Sequence, residues 1–95
     1  MPGRRGNGVA ARPTVLLYTR DGCHLCDVAR EELLALRGEL PAFELQEVDI
    51  ESDEALHAAY LERIPVIEVD GELVSDLWLD PEALKQALLD SRRIP

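Results

Sequence analysis

The chain contains two cysteines, Cys23 and Cys26, and only two residues separate them. They follow a short apolar run and a glycine-containing turn, where a helical pattern begins. A thiol at the start of a helix faces free backbone N–H groups and the positive end of the helix dipole, and both favour the thiolate that attacks disulfides. The spacing places the second sulfur one turn further on, within reach of the first. We therefore predict that Cys23 is a nucleophilic thiol and Cys26 the resolving thiol.

Two other interpretations of the cysteine pair stay open. Buried structural cysteines are the weaker one, because such residues have no reason to fall at the start of a helix. Metal or cluster binding is the other, but structural zinc normally takes four protein ligands, and only His24 and His57 could join the cysteines. His24 lies between the cysteines and His57 lies on a different predicted helix. In the redox interpretation a protonated His24 favours the Cys23 thiolate.

The segments on either side of the turn predict a strand followed by a helix. Residues 14–19 are mostly β-branched, aliphatic or aromatic, which is typical of a strand buried on both faces. From Cys23 onward, apolar residues recur at steps of three and four up to Leu40 and predict an amphipathic helix that ends between Gly38 and Pro41. In that helix Cys26 faces inward, whereas Cys23 lies at the open end.

The rest of the chain predicts two more helices and three more strands. Residues 43–50 alternate roughly and predict a strand near a sheet edge, parallel to the first strand because a helix connects them. Ser52 is the predicted N-cap of a short helix that ends at about Tyr60. Asp70-Gly71 predicts a hairpin with a type I′ turn between residues 66–69 and 72–75. The last helix starts at Asp80-Pro81 and is predicted to bury Leu84, Ala87 and Leu88.

The predicted fold is therefore α/β, a four-stranded mixed sheet in the order β-α-β-α-β-β-α with helices on both faces. With the C-x-x-C pair between the first strand and the first helix, the chain resembles the glutaredoxin-like branch of the thioredoxin fold over roughly residues 14–91. The resemblance rests on residues 18–26, Tyr-Thr-Arg-Asp-Gly-Cys-His-Leu-Cys, and on Ile64-Pro65-Val66 before the hairpin. It implies a cis bond between Ile64 and Pro65, with the Ile64 backbone beside Cys23 and free to pair with an extended substrate segment.

The chain departs from typical dithiol glutaredoxins at two places. Those enzymes carry C-P-Y-C and a Gly-Gly after the last strand that admits the glutathione backbone. Here the pair encloses His24 and Leu25, and residues 75–78 after the last strand are Ser-Asp-Leu-Trp. Arg20 fits the family's basic position for a glutathione carboxylate. Trp78 either borders the active-site groove in place of the glycines or closes the core under the last helix. The similarity is thus closer to the uncharacterised glutaredoxin-like proteins.

The resemblance implies a thiol–disulfide oxidoreductase that acts on a disulfide of a protein or a small molecule. Arg20, His24, Ile64, Pro65 and Trp78 are its predicted substrate-binding residues. No tightly bound cofactor is expected, because two thiols carry both electrons. Recycling requires an external reductant, either glutathione, another low-molecular-weight thiol or a flavin-dependent reductase. The alternative function is a carrier of an iron–sulfur cluster or metal that uses the two cysteines, and the missing Gly-Gly weakens it. We expect a monomer.

Charge is distributed unevenly along the chain, whose net charge is −9. Residues 1–12 contain three arginines and no acid, whereas residues 13–91 contain five basic residues against all 19 acids, a net charge of −14. So acidic a body repels phosphate backbones, which argues against nucleic acid as a partner. The acids form either a plain solvated surface or a surface that attracts a basic protein. No run approaches the ~18 apolar residues of a membrane span, and nothing resembles a secretory signal. We therefore expect a cytoplasmic protein without a membrane partner, with a disordered tail at 1–12, a glutaredoxin-like domain at 13–91 and a short tail at 92–95.

Overall fold

The computed structural model describes residues 12–91, so the predicted tails, residues 1–12 and 92–95, lie outside it except for residue 12. The described chain has four strands and three α-helices in the predicted order. They are β1 (Thr14–Thr19), α1 (His24–Leu36), β2 (Glu44–Asp49), α2 (Glu54–Tyr60), β3 (Val66–Val69), β4 (Glu72–Asp76) and α3 (Pro81–Ser91). A 3₁₀ turn, Ile50–Ser52, connects β2 to α2.

The strands form one mixed sheet in the order β2-β1-β3-β4. β1 and β2 are parallel, from the pair Thr14 and Glu44 to the pair Thr19 and Asp49, and β3 is antiparallel to both β1 and β4. The predicted parallel pair and the edge position of β2 are confirmed. Because parallel strands end at the same edge of a sheet, β1 and β2 bring the turn before Cys23 and the 3₁₀ turn to one end of the molecule.

β1 is the strand whose burial differs from the prediction. Val15, Leu17 and Thr19 are buried on one face, but Leu16 and Tyr18 on the other face are only half-buried. The main core lies on the first face. There α1 packs through Ala29 and Leu33, and α3 packs through Leu84 and Leu88. The second face is covered by the seven-residue α2, which is too short to shield all of it.

A second, smaller core contains the cysteine pair. Its buried members are Cys26, Ile50, Ile64 and Val66. Four half-buried side chains pack against it: Tyr18, Cys23, Leu56 and Tyr60. This cluster joins the start of α1 to α2 and to the first residues of β3, so the packing of α2 fixes the surroundings of the cysteines.

The β3–β4 hairpin has the predicted turn. Asp70 and Gly71 have φ angles of 49° and 90°, as both central residues of a type I′ turn require. The Asp70 backbone and side chain both bond to Thr14, since its N–H donates to the Thr14 carbonyl and its carboxylate accepts the Thr14 N–H, each at 2.9 Å. The turn therefore attaches the hairpin to the first residue of β1.

The N-cap of α2 differs from the prediction. Asp53, with extended φ and ψ of −153° and 125°, accepts the N–H groups of Ala55 at 2.7 Å and Leu56 at 3.1 Å. Ser52, the predicted cap, belongs to the 3₁₀ turn, where its hydroxyl donates to the Asp49 carbonyl at 2.6 Å. The prediction was wrong because that turn delays the helix by one residue and uses the serine hydroxyl.

Candidate functional site

Cys23 is the N-cap of α1, one residue before the first helical residue. Its backbone is extended, with φ −90° and ψ 101°, and its Sγ accepts the Cys26 N–H at 3.1 Å. Gly22 precedes it at φ 78°, a left-handed conformation that glycine adopts without steric cost, and the Cys23 N–H donates to the Arg20 carbonyl at 3.3 Å. This turn aims the sulfur at the N-terminal end of the helix, where N–H groups and the helix dipole favour negative charge.

Cys23 and Cys26 are joined by a disulfide bond with Cα atoms 5.2 Å apart, within the usual range for disulfides. The two sulfurs differ in access, because Cys26 is completely buried whereas Cys23 is half-buried. An incoming molecule can therefore reach Cys23 but not Cys26. His24 and Leu25, between the cysteines, are both exposed.

The Ile64–Pro65 peptide bond is cis, as the resemblance implied. Ile64 belongs to the small core against which Cys23 packs, and Pro65 is fully buried beside it. The Ile64 N–H, however, donates to the Tyr60 carbonyl at 3.0 Å. The expectation of a free Ile64 backbone is thus wrong for its N–H group, because the carbonyl at the end of α2 already takes it. Only the Ile64 carbonyl is left for pairing with a substrate.

The loop after β4 is bonded to the segment that holds Pro65. The Leu77 N–H donates to the carbonyl groups of Arg63 and Pro65, both at 2.9 Å, and Leu77 has a positive φ of 70°. Trp78 follows and is 66% exposed, whereas Leu79 is buried in the main core. The alternative in which Trp78 closes the core is therefore wrong, because Leu79 fills that place. Trp78 lies in the loop that borders the Pro65 segment.

Two ion pairs involve arginines on the segments that hold Cys23 and Pro65. Arg20 Nη2 lies 3.4 Å from Glu51 Oε2, in the 3₁₀ turn, and Arg63 Nε lies 2.9 Å from Asp76 Oδ2, at the end of β4. All four side chains are 36–45% exposed. Arg20, which is predicted to bind a glutathione carboxylate, is thus already paired with a carboxylate of the chain itself, that of Glu51.

The sequence did not predict that the Glu68 carboxylate forms hydrogen bonds with two tyrosines. Glu68 accepts hydrogen bonds from the hydroxyl groups of Tyr18 at 3.2 Å and Tyr60 at 3.4 Å, and the two rings have centroids 4.8 Å apart. Burial, followed by the negative charge of Glu68, raises the pKa of the Tyr18 phenol. Both tyrosines pack against the small core that contains Cys26. The signal in the sequence was Glu68 itself, an acid within a strand of buried apolar residues.

Within residues 12–91, no three His, Cys, Asp or Glu side chains are grouped so that they could hold a metal ion. No helix of that part is both long enough and apolar enough to cross a bilayer.

The sheet order, the C-x-x-C pair at the start of the first helix and the cis proline before β3 define a protein of the thioredoxin fold. Residues 14–89 match the glutaredoxin-like domain family (DUF836), and the chain belongs to that family. An uncharacterised protein of Mycobacterium tuberculosis is 32% identical over 80 residues, which cover 79% of this chain and 81% of that protein. The expected similarity to uncharacterised glutaredoxin-like proteins is confirmed.

Solved structures agree with this assignment. A protein of Nitrosomonas europaea superposes with a TM-score of 0.74 at 27% identity, over 87% of this chain and 99% of that one. A structural genomics target from X. campestris is 39% identical, with a TM-score of 0.56 over 85% and 99% of the two chains. A mutant thioredoxin from Halobacterium salinarum has a TM-score of 0.61 at 21% identity, over 90% and 79%, which supports the fold alone.

Proposed function

We propose that the protein is a thiol–disulfide oxidoreductase in which Cys23 is the nucleophile and Cys26 the resolving thiol. The observation that carries this proposal is the unequal access of the two bonded sulfurs: Cys23 is half-buried at the start of α1, and Cys26 is completely buried one turn later. In such an arrangement a substrate disulfide can contact the Cys23 thiol but not the Cys26 thiol, which reacts only in the second step.

The reaction transfers two electrons in two exchanges. The Cys23 thiolate attacks one sulfur of a substrate disulfide, forms a mixed disulfide and releases the first substrate thiol, which takes a proton. The Cys26 thiol then loses its proton and attacks Cys23 Sγ, which releases the second substrate thiol and leaves the Cys23–Cys26 disulfide. The substrate is reduced by two electrons, and an external reductant returns two electrons and two protons to the protein.

The helix start lowers the cost of forming the Cys23 thiolate. A hydrogen bond to a charged acceptor contributes about 1.5–3 kcal/mol. The Cys26 N–H, which lies 3.1 Å from Cys23 Sγ in the disulfide form, is placed to donate such a bond once the sulfur is a thiolate. The helix dipole adds roughly 0.3–1 kcal/mol. The larger contribution therefore comes from the hydrogen bond that also caps the helix.

The proposal extends to the surroundings of the cysteines. Arg20, His24, the Ile64 carbonyl and Trp78 form the proposed substrate surface, and the fully buried Pro65 holds the Ile64 carbonyl in place there. The positions of these residues on the segments around Cys23 support the proposal. The protein works as a cytoplasmic monomer without a resident cofactor, and a low-molecular-weight thiol or a flavin-dependent reductase recycles it. The substrate is a disulfide of a protein or a small molecule.

A trapping experiment tests the assignment of the two thiols. In the Cys26→Ser variant the first exchange proceeds and the second cannot, so mixing it with a disulfide-bonded model protein should leave a stable mixed disulfide on Cys23, read by intact mass and peptide mapping. The matched Cys23→Ser variant should form no adduct, because Cys26 is buried. An adduct on Cys26 of the Cys23→Ser variant at a comparable rate would reverse the assignment, and no adduct in either variant would refute the function.

A further inference from the structure

We propose that the Cys23 site prefers disulfides carried by positively charged polypeptide segments over anionic low-molecular-weight disulfides. This inference rests on the proposed oxidoreductase function and names its substrate class. The observations that carry it are two ion pairs on the segments that hold Cys23 and Pro65, the acidic edge on which Cys23 lies and three exposed apolar side chains on the same segments.

Arg20 is the first of the two cations that an anionic substrate would use. Its carbonyl accepts the Cys23 N–H at 3.3 Å, so this residue is fixed directly at the nucleophile. Its guanidinium lies 3.4 Å from Glu51. A substrate carboxylate at Arg20 must share the guanidinium with Glu51, and two like charges at one cation repel each other. The pair thus lowers the affinity of this position for an anion.

Arg63 is the second cation, and it is paired in the same way. It immediately precedes Ile64 and Pro65, and its carbonyl accepts the Leu77 N–H. Its Nε donates to Asp76 Oδ2 at 2.9 Å. Both arginines that flank the site are therefore neutralised by carboxylates of the chain itself, and neither offers an unshared positive charge to a carboxylate of glutathione.

The edge of the sheet around Cys23 carries further acids. Because Thr19 pairs with Asp49 in the parallel register, the end of β2 and the 3₁₀ turn lie at the same edge as the turn before Cys23. Asp21, in that turn, is exposed and has no ion pair with any residue between 12 and 91. The segment from 38 to 62 has no lysine or arginine. A cationic segment that approaches Cys23 is thus attracted, whereas an anionic one is repelled.

Three exposed apolar side chains indicate a polypeptide rather than a small cation. Leu25 lies between the cysteines, and Leu77 and Trp78 lie in the loop bonded to Pro65; they are 54%, 42% and 66% exposed. Large apolar side chains left exposed on the segments around a site suit contact with another polypeptide. A basic chain with apolar residues beside its disulfide fits both the charge and the surface.

Matched peptides separate this proposal from the function on which it rests. Two peptides, each closed by one disulfide, differ only in four flanking positions that are lysine in one and glutamate in the other. At low ionic strength the reduced protein should reduce the lysine peptide at least about tenfold faster than the glutamate peptide, and the ratio should fall as salt is added. Oxidised glutathione should react as slowly as the glutamate peptide. Equal rates for the two peptides would overturn the inference and leave the function intact, whereas no reduction of any of the three disulfides would refute the function itself.

Two variants test the ion pairs directly. Glu51→Gln and Asp76→Asn each release one arginine, and each should raise the rate with oxidised glutathione by about threefold, the scale of one surface ion pair. Glu39→Gln is the matched control, because it removes the same charge from an exposed residue beyond the far end of α1. If Glu39→Gln raised the rate as much as Glu51→Gln, the selectivity would come from net charge, and the ion pairs would have no role in it.

Discussion

The backbone N–H of Cys26 donates to the Sγ atom of Cys23 at 3.1 Å, so the cap of α1 and the proposed nucleophile are the same atom. Serine, threonine, aspartate and asparagine are the usual N-caps, and sulfur is a weak acceptor when it is neutral. The bond strengthens when sulfur is negatively charged. A cysteine at this position therefore favours the thiolate at some expense of helix stability, which indicates a chemical rather than a structural reason for the residue.

The Cys23→Ser substitution separates these two roles. A serine hydroxyl is a better neutral cap than a thiol, so we expect α1 to stay intact, with a helical circular dichroism signal equal to that of the reduced wild-type protein. Disulfide reduction should fall to the background rate, because the nucleophile is lost. Undiminished reduction by this variant would disprove the proposed role of Cys23.

Trp78 and Leu79 are neighbours with opposite environments, and their alanine variants should differ accordingly. Leu79→Ala should lower the free energy of unfolding by about 2–5 kcal/mol, because Leu79 is buried in the main core. Trp78→Ala should change it by less than about 0.5 kcal/mol yet raise the KM for a peptide disulfide about threefold or more, since an exposed aromatic side chain of this site contributes contact area. Urea unfolding and steady-state kinetics measure the two effects. An unchanged KM in Trp78→Ala would remove Trp78 from the substrate surface.

The raised pKa of Tyr18 predicts that the free energy of unfolding depends on pH in the alkaline range. Burial and Glu68 raise its pKa in the folded protein, so the folded state holds the phenolic proton more tightly than the unfolded state. The resulting stability is fully present below about pH 10, the ordinary pKa of tyrosine, and is lost as the pH rises through the folded pKa. Tyr18→Phe should cost about 1 kcal/mol at pH 8 through the lost hydrogen bond, and less above pH 10. Urea unfolding between pH 8 and 11 measures this difference, and a constant difference across that range would contradict the account.

The cap of α2 can be tested with two adjacent substitutions. Asp53→Ala removes an acceptor of two backbone N–H groups and should lower the free energy of unfolding by about 0.5–2 kcal/mol. Ser52→Ala removes only a hydroxyl that donates within the 3₁₀ turn and should cost less. Chemical denaturation compares the two variants. If Ser52→Ala lowered the free energy of unfolding more than Asp53→Ala, Ser52 rather than Asp53 would be the cap of α2.

Much of the fold could be predicted from the sequence because its determinants are local. The spacing of apolar residues from Cys26 to Leu36 sets the buried face of α1, and Asp70-Gly71 sets the hairpin turn. The C-x-x-C pair at the strand-to-helix turn also marked the site, since a helix start is visible in the sequence itself. These features depend on residues no more than a few positions apart.

The remaining features depend on contacts that no local pattern encodes. Arg20 meets Glu51 across 31 positions because the sheet places the ends of β1 and β2 side by side, and Tyr18 meets Glu68 across 50 because β1 pairs with β3. Trp78 and Leu79 follow one another in a loop, and no local pattern shows that Leu79 rather than Trp78 is buried in the core. Tertiary geometry therefore determined the parts of the site that the sequence left open.

The most direct test of the central claim is a redox titration of the Cys23–Cys26 couple against mixtures of reduced and oxidised dithiothreitol. Alkylation and intact mass would report the number of free thiols in the monomer at each ratio. The account predicts one reversible two-electron transition in which both thiols disappear together into an intramolecular disulfide. Two thiols that stay alkylatable across the whole range, or that disappear only into disulfides between chains, would contradict it.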